Sequence, residues 1–491
     1  MTRQAKNRPT MTHISKREAL RLAAALAVVA ITVPAAAQQA GNDWRLPSDD
    51  DIRGLIAARN APRPGQGIVI GILGPEGERI VAGGTGTGAG FSSTTLFEIG
   101  SITKVFTALL LADMANKGEV SLDDPAAKYL PAGHKMPERG GRPITLTDLA
   151  THRSGLPRMA DDMWAVGHPD GQFADYTEER LLAFLDRHQL TRQPGAQFEY
   201  SNLGMGLVGY LLTRAARSDY ETLVRTRITG PLGMNDTMIT LPPSHAARLA
   251  APFDAYMRPV KPIDMAALAG AGAIRSTVAD MLILARALLN PTSPVAPALK
   301  TALSVRTPGE NRFEQALGWL VRPISDRELL MHNGQSYGFS SILILEPAKG
   351  RAVVALVNSA AEPGPEDLAF NIVGGQRVQP TPAVPPAPPP FVPRTAITLP
   401  VAELEKVTGR YVFDAGFVGT ITRDGGYLYA QSNREGRPGG PRLQILPEAP
   451  LTFFWKAMDA QIRFTTDAGG MVTGAVLTQQ GRQMVGRRVE R

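Results

Sequence analysis

Apolar positions along this chain fall into short continuous runs near the two ends of its first 375 residues and into longer periodic runs between them. After a short polar lead-in, Ile68 to Leu73 and Arg79 to Ala82 flank Pro75-Glu76-Gly77, which predicts a strand, a turn and a strand. From Ser101 to Met114 the run SITKVFTALLLADM contains no Gly or Pro, and Lys117-Gly118 supplies a basic last turn and a glycine stop, so a helix is predicted there. Further helices are predicted over Glu178 to Arg187, Leu203 to Ala216 and Val278 to Leu289, and buried strands over Ser341 to Glu346 and Ala352 to Asn358.

Beyond that point the pattern changes. Residues 376–400 carry nine prolines, including Pro388-Pro389-Pro390, a composition that predicts a stiff, extended spacer. After it come short alternating segments, Val418 to Arg423, Tyr427 to Gln431, Leu451 to Trp455, Ile462 to Thr466 and Met471 to Thr478, punctuated by Asp424-Gly425-Gly426 and Asp467-Ala468-Gly469-Gly470. These predict an antiparallel meander closing into a small barrel. A length of 491 residues exceeds one usual core, in keeping with a large domain over 45–375, a linker over 376–400 and a second domain over 401–491. No internal repeat is present.

Residues 1–37 read as an export signal: Arg3, Lys6, Arg8, Lys16, Arg17 and Arg21 precede an apolar stretch from Leu22 to Val33 and then Ala35-Ala36-Ala37. The apolar run is about half of the ~20 residues that spanning a bilayer needs, so no stable membrane span is expected after cleavage. Met11 is an alternative start, and Ser15-Lys16-Arg17 is a weak twin-arginine echo that leaves the export route open. The expected location is periplasmic or secreted. The formal charge of +7 shrinks to +2 once the six Lys/Arg and one Glu of this segment are removed, which takes away the electrostatic case for a nucleic-acid partner. With no cysteine there is no disulfide, thiolate nucleophile or lipid-anchored cysteine.

Candidate chemistry begins at Ser101-Ile102-Thr103-Lys104. On a helix this spacing puts hydroxyl and amine on one face. A serine needs a base to become a nucleophile, and a lysine serves only if burial or positive potential lowers its pKa; the first turn of a helix supplies such potential, together with N–H groups able to face an oxyanion. Tyr200-Ser201-Asn202 presents a phenol and a carboxamide at a loop-to-helix junction, where a tyrosinate can share a proton with lysine and an asparagine can hold a substrate amide. His332-Asn333-Gly334 stands before a strand, and the glycine lets a substrate backbone approach a sheet edge. Each motif also has a plain structural reading, as a solvated helix face, a helix start and a turn.

Each of the three occurs once, in the order Ser-x-x-Lys, Tyr-x-Asn, Lys/His-x-Gly, and with these residues the chain resembles the penicillin-recognising serine hydrolases, in particular the class C β-lactamase and low-molecular-mass penicillin-binding protein branch. Phe97 to Gly100, Ile144 to Leu146, His152 to Leu156, Ala271 to Ile274, Ser276-Thr277 and Asp280 extend the resemblance over about residues 60 to 360. It implies an α/β fold, an antiparallel sheet flanked by helices beside an all-helical region, with the site in the groove between them, and a small antiparallel β-barrel-like domain appended. It implies acylation of Ser101, a proton shuttled by Lys104 and Tyr200, an acyl side-chain amide held by Asn202, and an oxyanion hole from the N–H groups of Ser101 and Gln335. No cofactor and no metal are implied. His332 would replace the family's frequent lysine, and the expectation follows that carboxylate-dependent turnover rises as His332 protonates between pH 8 and 5. The implied substrate is a small molecule or a peptidoglycan-derived one, a β-lactam or a D-Ala-type amide; an esterase, a D-amino-acid peptidase and a slowly turning over penicillin-binding sensor are alternatives.

Other signals compete less well. Gly334-Gln335-Ser336-Tyr337-Gly338 matches a nucleophile elbow, but a strand-like run follows it and His332 is the last histidine of the chain. His152 near Asp148 reads as a structural hydrogen-bond network rather than a charge pair feeding a base. Tyr427, Tyr429 and Trp455 read as core more than as a ligand cavity. The seven histidines are scattered and form no metal motif.

Overall fold

The computed structural model describes residues 45–85, 90–160, 162–163, 173–310, 312–324, 327–386, 394–433, 442–455, 460–479 and 482–489. The expected export segment 1–37 and the Pro388-Pro389-Pro390 run lie outside the described residues. In chain order the strands of the first domain are β1 (Gly67–Gly74), β2 (Gly77–Gly84), β3 (Phe97–Glu98), β4 (Arg275–Ser276), β5 (Thr307–Pro308), β6 (Glu314–Gln315), β7 (Leu320–Ile324), β8 (Arg327–Gln335), β9 (Ser340–Glu346) and β10 (Arg351–Val357). All but β3 and β4, which pair with each other, form one sheet in the order β2-β1-β10-β9-β8-β7-β6-β5. The N-terminal hairpin is stitched to the late strands by the antiparallel β1/β10 pairing, Ile68 opposite Val357 through Leu73 opposite Ala352.

Both faces of the sheet are covered, which is why its central strands read as continuous apolar runs. Ile68, Ile70 and Ile72 of β1 and Val353, Ala355 and Val357 of β10 pack with Ile52 and Ile56 of α1 (Asp49–Asn60) and with the helix Glu366–Gly374. The alternate residues, Val69, Ala352, Val354 and Leu356, face the larger helical core. Helix α1 falls in what the sequence presents as a polar lead-in. Its three first-turn aspartates and narrow Ile52/Ile56 stripe mask it, whereas the Ser48–Asp51 capping box starts it.

On the other face α2 (Thr103–Asn116) is buried from Thr103 through Ala112, a helix apolar nearly all round because neighbours enclose it. Around it stand α3 (Leu146–Ala150), α4 (Glu178–Arg187), α5 (Asn202–Ala216) and the helix Val278–Leu289. Polar bonds fix α2 to the segment 270–274: Thr107 Oγ1 donates to Gly270 O (2.7 Å), and Thr103 Oγ1 accepts from Ile274 N (3.2 Å).

The C-terminal strands β11 (Gly409–Phe413), β12 (Phe417–Asp424), β13 (Tyr427–Asn433), β14 (Leu443–Ala449), β15 (Thr452–Phe454), β16 (Ala460–Thr466), β17 (Val472–Gln479) and β18 (Arg482–Val489) close into a barrel, β11 pairing with β18. Its interior is filled by Tyr411, Phe413, Phe453, Trp455 and Phe464 among others. Leu428 and Ala430 turn inward; on the alternate face Tyr427 is exposed, whereas Tyr429 is buried, lying under the Arg442 guanidinium at 3.7 Å. The three aromatics thus share no cavity. The Pro-rich segment is held at both flanks: Thr381 Oγ1 accepts from Arg59 Nε (3.0 Å), Asp367 accepts from Gln379 N (2.8 Å), and Ile397 N donates to Pro447 O (2.8 Å). No helix among the described residues is long and apolar enough to cross a membrane.

Behind β8, Asn333 Nδ2 donates to Glu366 Oε1 (3.0 Å), and burial together with nearby Glu362 pushes the Glu366 carboxyl up to about 7. Because the folded carboxyl holds its proton more tightly than the unfolded one, this group's contribution to stability is present at pH 4.5 and is lost as pH rises through 7. Glu366→Gln, which keeps the acceptor, is therefore expected to match the wild type at pH 5 and to exceed it at pH 8 by on the order of 2 kcal/mol in urea unfolding.

Candidate active site

The turn before α2 sets the site. Ile99 N donates to Ile274 O (3.1 Å), the Ile99 carbonyl accepts from Ile102 N (3.1 Å) and from the Ser341 hydroxyl of β9 (2.9 Å), and Gly100 takes φ +49°, a conformation open to glycine. Ser101 follows, half-buried, in a single 3-10 turn (Gly100–Ile102) that runs into α2, two residues before the α-helix proper begins.

The end of β8 beyond its pairing with β7, from His332 to Gln335, lies against this turn. A Cβ on Gly100 would stand 2.7 Å from Gln335 N, and one on Gly334 would collide with the Ile99 carbonyl oxygen and the Ser341 hydroxyl. Gly334 stands opposite Ser341, so it lacks a side chain where the Ser341 hydroxyl crosses to Ile99. Ser336 N donates to Phe339 O (2.9 Å), which makes 336/339 a hydrogen-bonded pair; alternation along the ladder leaves the Gln335 N–H pointing off β9 toward Gly100. The Ser336 hydroxyl bonds to buried Glu98 in a strand-to-strand hairpin, which is no setting for a nucleophile elbow.

Lys104 is fully buried, and its Nζ donates to Ser101 Oγ (2.8 Å) and to Ala271 O (2.7 Å). Burial, reinforced by the Arg158 guanidinium, holds this amine well below the usual lysine range. An amine that loses its charge beside a hydroxyl is able to accept that hydroxyl's proton. The Lys104 nitrogen also stands 5.0 Å from the centroid of the Tyr200 ring, and the Tyr200 hydroxyl is in hydrogen-bonding reach of Ser101. Burial pushes the Tyr200 phenol up, opposed by Arg158 and by Ser101. Asn202 opens α5, whose Ser201 caps it by accepting from Gly204 N (2.8 Å); the Asn202 amide nitrogen lies 3.5 Å from Met159 Sδ.

His332 closes the cluster from β8, its ring 6.4 Å from that of Tyr200 and its Nδ1 2.6 Å from Asn333 O. It is 2% exposed, and desolvation, helped by Lys104, lowers it to about 3. This runs against the expectation that His332 gains charge between pH 8 and 5: burial and Lys104 both favour the neutral imidazole, and no carboxylate among the described residues raises it.

Sequence reasoning left out two neighbours. Asp148 is engaged by Arg142 (2.9 and 3.0 Å) and by the α3 cap at Thr145, so it does not pair with His152. His152 instead holds Tyr200: its ring lies 4.4 Å from the Tyr200 ring, its Nδ1 accepts from Ser201 N (3.1 Å), and its carbonyl accepts from Glu199 N (2.8 Å). The residue adopts φ +58°, uncommon for a side-chain-bearing residue, and burial keeps its ring uncharged. Arg158 lies over the Tyr200 ring at 5.1 Å. Both belong to the segment His152-Arg153-Ser154-Gly155-Leu156-Pro157-Arg158, whose first five residues carry part of the family resemblance but which no sequence signal ties to Tyr200. Among the described residues no group of three His, Cys, Asp or Glu side chains is placed to hold a metal ion.

Comparison with known proteins places this geometry. The Beta-lactamase family profile matches residues 52–374, and a domain of unknown function, DUF3471, matches residues 393–488. The chain is 36% identical over 190 residues to the D-alanyl-D-alanine-carboxypeptidase/endopeptidase AmpH of Escherichia coli, an alignment covering 38% of this chain and 47%, about half, of that relative. It is 30% identical over 321 residues to a beta-lactamase of Escherichia coli, covering 57% of this chain and 80% of that one. The crystal structure of a beta-lactamase/D-alanine carboxypeptidase from Yersinia pestis complexed with citrate superposes with a TM-score of 0.56 at 25% identity, over 66% of this chain and 96% of that one.

Two outcomes follow from the geometry. Gly334→Ala must push β8 away from the Ser101 turn and is expected to lower kcat/KM by about 100-fold or more in steady-state assays while the protein stays folded by circular dichroism. With His332 neutral, the ratio of kcat/KM for a carboxylated substrate to that for its methyl ester is expected to be flat from pH 5 to 8; a rise toward pH 5 would mean a protonated imidazole.

Proposed function

This chain belongs to the Beta-lactamase family of serine hydrolases, and we propose that it works through an acyl-enzyme on Ser101 formed from β-lactams or from D-alanine-type amides of cell-wall peptides. The observation that carries the reading is the buried Lys104 amine 2.8 Å from the Ser101 hydroxyl. In the first half-reaction Ser101 Oγ attacks the carbonyl carbon as its proton passes to Lys104. The protonated Tyr200 phenol then relays a proton to the leaving nitrogen as the C–N bond breaks. Water repeats the sequence on the ester, returning the proton to Ser101. Since burial keeps Tyr200 protonated, Lys104 is the base and Tyr200 the relay.

The carbonyl oxygen would sit between the N–H groups of Ser101 and Gln335, the first lying in a helix start with no intrahelical acceptor and the second off the β ladder; together such donors are worth several kcal/mol. Asn202 faces the acyl part of the substrate, and His332 and Gly334 form the opposing wall on β8. The basic and apolar N-terminal segment supports action outside the cytoplasm, where such substrates are met. One observation favours an esterase: neutral His332 offers no charge to a carboxylate on the leaving side.

Labelling with a fluorescent penicillin, with parallel hydrolysis of a chromogenic cephalosporin, a p-nitrophenyl ester and a D-Ala-D-Ala peptide, tests this. We expect label on the wild type and none on Ser101→Ala, with turnover down roughly 10⁴-fold or more. Retained turnover in Ser101→Ala would overturn the assignment. A label that persists without turnover would identify a sensor, and ester cleavage alone an esterase.

A further inference from the structure

Arg158 helps to lower the Lys104 amine, and the reaction above gives its guanidinium no partner of its own. Its backbone is locked beside α5, where its carbonyl accepts from Asn202 N (3.0 Å) and Leu203 N (3.2 Å), so Arg158 and Asn202 share one wall of the groove. Its guanidinium lies over the Tyr200 ring at 5.1 Å and lowers Lys104, Tyr200 and His152, whereas the charge that lowers His332 is that of Lys104. The residue is half-buried, its Nε is enclosed without a hydrogen-bond partner, and among the described residues no carboxylate pairs with it. Acids of the neighbouring segments are engaged by other arginines, Asp148 by Arg142, Glu199 by Arg192 and Asp162 by Arg187.

An unpaired guanidinium beside a buried lysine is unfavourable in the empty site, because it repels the lysine's charged form and leaves a buried donor unmatched. An anion arriving there relieves both. Arginine suits the task better than lysine, since it stays charged when partly desolvated, stacks on an aromatic ring and offers a two-pronged fork to a carboxylate.

We propose that Arg158 is a specificity residue that binds a carboxylate on the acyl portion of the substrate, so that the enzyme prefers acyl donors carrying an anionic group within a few bonds of the scissile carbonyl. The inference rests on the reading above that Ser101 is acylated and that Asn202 faces the acyl part. It moves carboxylate recognition from the β8 wall, where His332 is neutral, to the opposite wall.

The test compares matched acyl donors in the full chain. The esters are p-nitrophenyl hydrogen succinate and p-nitrophenyl butyrate, which differ by a carboxylate in place of a methyl group. The β-lactams are α-carboxybenzylpenicillin and benzylpenicillin, read as the rate of Ser101 acylation by mass spectrometry. The wild type should favour the carboxylated member of each pair. In Arg158→Gln that preference, taken as the ratio of kcat/KM or acylation rates, should fall about tenfold or more, and Arg158→Lys should retain part of it. An unchanged ratio overturns the proposal. So does an equal loss on both members of a pair, which would mean that the guanidinium serves Lys104 and Tyr200 rather than the substrate. Ser101→Ala separates the two levels: butyrate hydrolysis surviving that change, or no acylation of Ser101 by any of the four compounds, sinks the underlying reading and this inference with it.

Discussion

The close approach of the Ile99–Ser101 turn to the edge of β8 is the contact on which the site depends. The Ile99 carbonyl accepts from both Ile102 N and the Ser341 hydroxyl, so the start of α2 and the middle of β9 are tied to one oxygen atom. Gly334 lies directly over that bond and Gly100 meets Gln335, each without a side chain. A rigid sheet thus brings the backbone N–H of Gln335 against the turn that carries Ser101. Neither could be placed to within a fraction of an ångström by loops alone.

Desolvation is the second organising force. Lys104, His152 and His332 are all within 2% of full burial, and each is driven toward its uncharged form. The enclosed part of the site is therefore short of charge, and the half-buried Arg158 guanidinium adds to the lowering of Lys104 and His152. Carbonyl groups do much of the holding: Ala271 O for Lys104, Gly270 O for Thr107, Ile99 O for Ser341. Such fixed dipoles orient side chains without adding a charge that would itself need compensation.

Much of this was legible in the sequence. The helices 178–187 and 278–289 fall where periodicity puts them, and the sheet strands are displaced by a residue or two, because end fraying is not encoded in apolar pattern. Helix α1 and the barrel strands β11, β14 and β18 were not read, since their apolar positions are few and become meaningful only once neighbours cover them. Ser101, Lys104 and Tyr200 do converge. What sequence could not supply is the environment: His332 is lowered by its burial and by Lys104, and Asp148 is claimed by Arg142, six positions before it, rather than by His152, four positions after it. Distance along the chain did not decide between those partners; the α3 cap did.

The pairing of β1 with β10 also constrains how the molecule is made. Ile68 meets Val357 across almost the whole length of the first domain, and β10 is the link between the N-terminal hairpin and the rest of the sheet. A nascent chain that has produced α2 and the Ser101 turn still lacks the strand edge that shapes them, and non-local pairings of this kind form late. The enzyme's first domain is consequently synthesised with its sheet open and its core exposed until residue 357 has emerged. That long unfolded interval makes protection of the exposed β1 and β2 runs during synthesis a requirement of the topology itself.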